Sequence, residues 1–225
     1  MIADLVPAGV LACDAFDDAG PDAAARLFSA ERAVVAGVFD ERRREFTTVR
    51  GCARRALAAL GTAPVPLVPG PLGAPRWPTG VVGSMTHCRG YRAAAVARAA
   101  EFAAVGIDAE PQEPLPGIVA TRTVSDTESG WLEQDFSRAA EVPLDRLLFC
   151  AKEASYKAFS PWLGTRFGLR DFTVRLRSDG TFHGMYPSSS GPLSAIRTGG
   201  FSGRWVARSG YLLTAVAVSA DPLTR

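Results

Sequence analysis

Each half of this 225-residue sequence begins with a helical pattern and continues with strands joined by short turns. In the first half, apolar residues at helical spacing predict a helix over 40–60 that stops at Gly61, and three strands follow within 81–108. In the second half, a helix is predicted over 144–159, with Pro161 ending it, and two hairpins follow. This order predicts an α+β fold with two similar lobes.

Turn and cap signals support the same organisation. Ser125 and Glu128 have the spacing of a capping box and predict the start of another helix. The two hairpins of the second half have two-residue turns at Asp179-Gly180 and Ser209-Gly210. We divide the chain into an N-terminal lobe over 1–108 and a C-terminal lobe over 109–225.

Composition excludes several classes of protein. A hydrophobic content of 47% is enough for a packed core and excludes a disordered chain. The four cysteines include no C-x-x-C pair, so neither disulfides nor a zinc site are predicted. A net charge of +2 and the lack of a long apolar run or a basic leader argue against nucleic-acid and membrane partners. We expect a monomeric, cytoplasmic protein.

Lysine is nearly absent from this sequence. Of 25 basic residues only Lys152 and Lys157 are lysines, and both lie in the helix LDRLLFCAKEASYKAF. Glu153 and Lys157 project from the side opposite its small and apolar face, between Phe149 and Tyr156. The pair could be an ordinary surface ion pair. The aromatic neighbours and the scarcity of lysine favour a partly covered site.

Two carboxylates end the strand FAAVGIDAEP. Asp108 and Glu110 are two residues apart, so they lie on the same face of the strand and repel each other. A hard divalent cation would relieve that repulsion, although a solvated acidic turn has the same pattern. His87 ends the earlier strand VVGSMTH, and its predicted role is to donate a hydrogen bond to a phosphate.

The helix over 40–60 is rich in arginine. Arg43, Arg50 and Arg54 share one stripe at i, i+7 and i+11. Guanidinium groups suit phosphate oxygens, so the stripe predicts a phosphate site. A solvated basic face remains the alternative interpretation.

Together these segments resemble a known family. GSMTHC, GIDAEP and FCAKEASYK, in this order, resemble the three motifs of the 4'-phosphopantetheinyl transferases of the surfactin- and enterobactin-synthetase-activating type and of actinobacteria. The helix RRREFTTVRGCARRAL and the turn GAPRWP extend the resemblance over most of the chain. It implies two α+β lobes with coenzyme A in the cleft between them, and magnesium as the metal.

The resemblance also assigns roles to individual residues. The implied magnesium ligands are Asp108, Glu110 and Glu153, and the residues implied to act in catalysis are Glu153, Lys157 and Asp108. The residues implied to bind coenzyme A are Arg42, Arg50, Arg76, Thr86, His87, Asp108, Lys152 and Lys157. Arg42 and Arg50 would hold the 3'-phosphate, whereas the stripe favours Arg43 and Arg54 beside Arg50. Ala74 replaces a lysine common in relatives, and Arg76 would compensate.

The implied reaction transfers 4'-phosphopantetheine from coenzyme A to a serine of an apo acyl or peptidyl carrier protein and releases 3',5'-ADP. The carriers would serve polyketide, fatty acid or nonribosomal peptide synthesis, and the segment over 111–141 would help to dock them. A metal-dependent nuclease is one alternative, but it would need a broad basic face. A non-catalytic carrier-binding module is the other, and it leaves the three carboxylates unexplained.

Overall fold

Two antiparallel sheets and five helices make up the fold of the computed structural model, which describes residues 1–18, 27–70, 72–136, 142–186 and 200–220. The helices are α1 (Ser29–Val34), α2 (Asp40–Ala59), α3 (Gly117–Thr123), α4 (Asp126–Asp135) and α5 (Leu144–Leu163). The strands are β1 (Leu11–Ala15), β2 (Val81–Cys88), β3 (Tyr91–Arg98), β4 (Phe102–Pro111), β5 (Thr173–Leu176), β6 (Thr181–Met185), β7 (Gly200–Arg208) and β8 (Tyr211–Ser219). A 3-10 turn, Ile2–Asp4, precedes β1.

The sheets differ in size, and each packs against one long helix. The first has the order β1-β3-β2 and packs on α2, and the second has the order β4-β8-β7-β6-β5 and packs on α5. Apolar side chains fill the space beneath each helix and also the space between β3, β4 and β8. The predicted α+β class is therefore confirmed.

Strand β4 belongs to the second sheet. It pairs antiparallel with β8 and lies beside β2 of the first sheet. A Cβ at Gly106 would lie 2.0 Å from the carbonyl oxygen of Ala154, so α5 approaches β4 as closely as it does because this residue is glycine. The predicted lobe boundary after residue 108 falls inside this strand. The division into two lobes stays a prediction.

The structure confirms the predicted start of α4 and contradicts the predicted end of α5. The capping box forms, because the Ser125 hydroxyl accepts from the Glu128 N–H and the Glu128 carboxylate accepts from the Ser125 N–H. The prediction that Pro161 ends α5 is wrong. The helix continues to Leu163 and ends at Gly164, whose φ is 67°. Proline is tolerated there because only the last turn loses a backbone donor.

Within the described residues, none of the helices combines the length and the apolar character that a membrane crossing requires.

Candidate active site

The three motif segments meet at Asp108. Its Oδ1 accepts a hydrogen bond of 2.6 Å from Lys157 Nζ on α5 and one of 2.9 Å from Thr86 Oγ1 on β2. Thr86 Oγ1 in turn accepts from the backbone N–H of Ala109 at 3.2 Å, which fixes β2 against β4. Asp108 is only 4% exposed, so this carboxylate is held rigidly where the strands and the helix meet.

Lys157 keeps its charge at this junction. Burial alone would lower the pKa of its ammonium, but the adjacent Asp108 carboxylate and Glu153 outweigh that effect and raise the pKa above its ordinary value. Its side chain is paired with Asp108 and is still 29% exposed. Lys157 is therefore a fixed positive charge that a bound anion could reach.

Glu110 and Glu153 lie near enough to Asp108 to feel its charge. Burial raises the pKa of each carboxyl above its ordinary value, and the charge of Asp108 raises it further. Arg146 and Lys157 oppose the shift at Glu110, and Lys157 opposes it at Glu153. The three carboxylates thus form one electrostatically coupled group.

The oxygen atoms of this group suit a divalent cation. Asp108 Oδ2 is buried and has no hydrogen-bond partner among the described residues, which is costly for a carboxylate oxygen unless something else binds it. All three side chains offer oxygen donors, the ligands that hard divalent cations prefer. Across the described ranges, no three acidic, histidine or cysteine side chains converge into a ready-made metal site. Asp108 and Glu110 are instead paired with Lys157 and Arg146. The donor chemistry fits, and the carboxylates would have to exchange partners.

A cavity of about 250 Å³ adjoins this group. Glu153, Tyr156 and Lys157 form its wall on the α5 side, and Gly83, Ser84 and Met85 of β2 form part of the opposite wall. The turn that carries Ala74 and Pro75 closes another side. Arg76, the next residue, is exposed, and its predicted contact with phosphate stays a prediction.

Helix α2 places Arg42 against His87. The Arg42 guanidinium donates to His87 Nε2, and it also donates to Glu45 Oε2 at 3.1 Å. Burial lowers the pKa of the His87 imidazole, and the positive charge of Arg42 lowers it further, although Glu45 opposes the shift. His87 Nε2 therefore accepts a hydrogen bond here, and the donor is Arg42.

The arginine stripe is only partly a surface feature. Arg50 is buried: its guanidinium lies 3.1 Å from the centroid of the Phe46 ring, and its Nε donates to the Leu67 carbonyl oxygen. Burial lowers its pKa to about 10. Arg54 is paired with the buried Glu31 at 3.0 Å, so its role is to neutralise a carboxylate inside the fold. The structure therefore favours Arg42 over the stripe members as the arginine nearest to the predicted nucleotide residues.

Arg43, the remaining member of the stripe, turns towards the start of its own helix. It donates to Asp40 at 2.6 Å and to the carbonyl oxygen of Val38 at 3.1 Å. The hypothesis that spacing alone selects the phosphate-facing arginines is not supported by these contacts.

Lys152 does not join the other predicted residues. It is 0% exposed, and its ammonium donates to Glu128 and to the carbonyl oxygens of Thr123, Leu169 and Phe172. These partners belong to α3, to α4 and to the segment just before β5. The predicted contact of Lys152 with coenzyme A is corrected: adjacent residues of a helix point in directions about 100° apart, so Lys152 faces the core when Glu153 faces the cavity.

Sequence reasoning missed two residues of the site. Arg146 donates to Glu110 Oε2 at 2.6 Å, and Glu45 accepts from Arg42 and from the buried Arg92. Arg146 lies seven residues before Glu153, on the same face of α5, so the helical periodicity could have identified it. For Glu45 the sequence carries no comparable signal for its contact with Arg92, which lies on strand β3, far away in the chain.

Both halves of the chain match models of one known protein family. Residues 30–97 match the 4'-phosphopantetheinyl transferase N-terminal domain, and residues 104–209 match the 4'-phosphopantetheinyl transferase superfamily. The chain is 46% identical to 4'-phosphopantetheinyl transferase Svp of Streptomyces mobaraensis over 98% of its own length and 90% of that protein. It is 42% identical to the transferase Npt of Nocardia iowensis, over 96% of this chain and 99% of Npt. It is 39% identical to the transferase PptT of Mycobacterium tuberculosis, over 84% of each chain. The chain belongs to the 4'-phosphopantetheinyl transferase superfamily.

Proposed function

We propose that this chain transfers the 4'-phosphopantetheine group of coenzyme A to a serine of an apo acyl or peptidyl carrier protein and releases 3',5'-ADP. The observation that carries the proposal is the convergence of Thr86, Asp108 and Lys157 beside a cavity lined by Glu153. This arrangement combines a cation with carboxylates at the edge of a cavity, which suits transfer of an anionic phosphoryl group.

Magnesium is the metal that we propose for this site. Asp108, Glu110 and Glu153 would hold it, and the orphaned Asp108 Oδ2 supports that choice. When bound, the ion supplies positive charge that neutralises the pyrophosphate. Because the three carboxylates repel one another, a cation bound among them would be attracted by all three.

The side chains divide the remaining work. Glu153 accepts the proton of the carrier serine, directly or through water, as the serine oxygen forms its bond to the pantetheine-side phosphorus. The bond between that phosphorus and the pyrophosphate bridging oxygen breaks, and the electron pair leaves with 3',5'-ADP. Lys157 neutralises the charge that grows on this leaving group, because its pKa is raised and it stays protonated. Arg42 holds the 3'-phosphate, with Thr86 and His87 at the nucleotide end; the predicted contact of Arg50 with this phosphate would require its buried guanidinium to leave Phe46 and the Leu67 carbonyl oxygen.

The carrier protein docks on the segment that follows β4. Helices α3 and α4 lie in this segment, and Ile118 on α3 is 67% exposed, which leaves an apolar side chain for a partner. Residues 137–141 of the predicted docking segment lie outside the described residues. We propose a cytoplasmic, monomeric enzyme whose carriers belong to polyketide, fatty acid or nonribosomal peptide synthesis.

The two alternatives from the sequence explain less. A nuclease requires a broad basic face for the nucleic-acid backbone. Several arginines near this site are instead committed to pairs within the protein, including Arg54 with Glu31 and Arg146 with Glu110. A non-catalytic carrier-binding module would not need a buried carboxylate oxygen without a partner.

The deciding experiment is transfer itself. The purified chain is incubated with coenzyme A, magnesium and several apo carrier proteins, and each carrier is weighed by intact mass spectrometry. The expected result is the gain of one phosphopantetheine, with Glu153→Gln as the matched variant that keeps its size but loses the charge. A carrier mass that stays unchanged, or transfer by the variant within about twofold of the unaltered chain, contradicts the proposal. Cleavage of DNA or RNA in a parallel reaction would support the nuclease.

A further inference from the structure

Arg146 binds the chain segment that follows the acidic end of β4. Its guanidinium donates to Glu110 Oε2 at 2.6 Å, to the Pro114 carbonyl oxygen at 2.7 Å and to the Glu113 carbonyl oxygen at 3.0 Å. The side chains of Arg146 and Glu110 are 13% and 19% exposed. A largely covered ion pair with further hydrogen bonds is a fixed arrangement, unlike a loose surface pair.

Two cationic side chains of the protein pair with the cluster of three carboxylates. Lys157 pairs with Asp108 at 2.6 Å, Arg146 pairs with Glu110 at the same distance, and Glu153 is the third acid. Three negative charges against two positive charges leave this group with one net negative charge. A divalent cation that approaches therefore finds part of its attraction already cancelled, and it must displace a guanidinium to use the Oε2 atom of Glu110.

We propose that Arg146 is a positioning residue that competes with the divalent cation for Glu110 and thereby limits how tightly the metal binds before the anionic donor arrives. This inference rests on the metal site under the proposed function. The pyrophosphate of coenzyme A brings the negative charge that the group lacks, so the metal and the donor are loaded together. Arg146 acts through Glu110 and need not touch the substrate.

The test measures binding of Mn²⁺ alone, used as a paramagnetic divalent probe, to the full chain without coenzyme A. Free Mn²⁺ is followed by electron paramagnetic resonance. Arg146→Met should bind the ion about tenfold more tightly than the unaltered chain, because one competing positive charge has gone. Arg146→Lys keeps the charge and should stay within roughly threefold of the unaltered chain.

Arg89→Met is the matched control. Arg89 is 76% exposed and pairs with the side chain of Glu113, so its removal changes the net charge equally and touches the same segment, but leaves Glu110 paired. Its affinity for Mn²⁺ should equal that of the unaltered chain. Equal tightening in Arg89→Met and Arg146→Met would mean that net charge alone acts, and no tightening in Arg146→Met would mean that Arg146 does not compete; either result overturns the inference.

Stability supplies a second readout. Without metal, Arg146→Met leaves Glu110 beside Asp108 with one cation fewer, so its midpoint of thermal unfolding should fall below that of the unaltered chain. Added Mn²⁺ should raise the unfolding midpoint of Arg146→Met by more than it raises that of the unaltered chain. An equal rise in both would contradict competition. Arg146→Gln is the second neutral variant if the methionine variant does not fold. If neither the unaltered chain nor Arg146→Met binds Mn²⁺ at millimolar concentration, the proposed metal ligands themselves are rejected, a failure distinct from that of Arg146.

Discussion

Lys157 Nζ lies 2.6 Å from Asp108 Oδ1, which joins helix α5 to the end of strand β4. The other oxygen, Asp108 Oδ2, is buried and has no hydrogen-bond partner in the part of the chain that the structure describes. One carboxylate thus has an oxygen that holds a protein cation and an oxygen that remains for another positive partner. The pair therefore links the geometry of the fold directly to the proposed chemistry.

Asp108→Asn tests that link. The variant keeps the shape of the side chain and can still accept from Lys157, but it removes the charge that a metal needs. Transfer of phosphopantetheine should fall at least about a hundredfold, while the free energy of unfolding should change by less than about 2 kcal/mol because repulsion within the group is also reduced. Steady-state kinetics and urea denaturation measure the two effects, and near-normal turnover would remove Asp108 from the site.

Arg42→Ala tests which arginine of α2 binds the donor. Arg42 contacts His87 and is 50% exposed, so we expect it to bind the 3'-phosphate, where one charge-assisted contact is worth about 1.5–3 kcal/mol. The unaltered chain should then prefer coenzyme A over dephospho-coenzyme A by at least about tenfold in kcat/KM, and the variant should lose most of this preference.

Arg43→Ala is the neighbouring control for that measurement. Arg43 pairs with Asp40 and the Val38 carbonyl within its own helix end, so its loss should leave the preference intact. Equal use of both donors by the unaltered chain would make the arginine helix a solvated face. Arg50→Ala is less informative, since Arg50 is buried against Phe46 and its removal would also disturb packing.

His87 predicts a specific dependence of stability on pH. Burial and the charge of Arg42 hold the pKa of its imidazole below the ordinary value of about 6.5. The unfolded chain therefore binds a proton at a higher pH than the folded chain does, so this contribution to stability is present above about pH 6.5 and is lost as the pH falls below it. The thermal midpoint of His87→Gln should fall less between pH 7.5 and 5.5 than that of the unaltered chain; parallel curves would contradict the assignment.

Much of the fold can be predicted from the sequence because the cap and turn residues and the apolar patterns indicate the same helices and strands. The capping box of α4 and the turn at Ser209-Gly210, with φ of 53° and 78°, depend on residues near each other in the chain. The alternation that puts Asp108 and Glu110 on one face of β4 is equally local. The prediction that Pro161 ends α5 is wrong because a proline near the end of a helix costs little stability.

The partners of the charged side chains could not be predicted in the same way. Spacing groups Arg43, Arg50 and Arg54 on one stripe, but which of them reaches solvent depends on residues elsewhere, such as Glu31 and the Leu67 carbonyl. Such contacts are set by tertiary packing, which helical periodicity does not contain. The structure therefore revises the roles of residues whose positions in the helix were predicted well.

The two lysines of this chain should separate stability from catalysis. Lys152 is 0% exposed and is paired with Glu128, which is equally buried. Lys152→Met would leave the Glu128 carboxylate buried without its cation, and breaking such a pair costs roughly 3–5 kcal/mol. The free energy of unfolding should fall by about that amount, while the folded fraction should keep its KM for coenzyme A.

Lys157→Met should act mainly on catalysis. Lys157 is partly exposed beside the cavity, so its loss should lower kcat at least about a hundredfold, because the charge on the leaving group is no longer neutralised. The buried Asp108 carboxylate also loses its cation, so stability should fall, but by less than in Lys152→Met because Lys157 is partly solvated. Urea denaturation and steady-state kinetics of both variants give the comparison. The double variant Lys152→Met with Glu128→Gln should recover part of the lost stability, because no unpaired charge then remains in the core. A Lys152→Met variant that is fully stable but has a raised KM for coenzyme A would restore the original assignment of this lysine to the donor site.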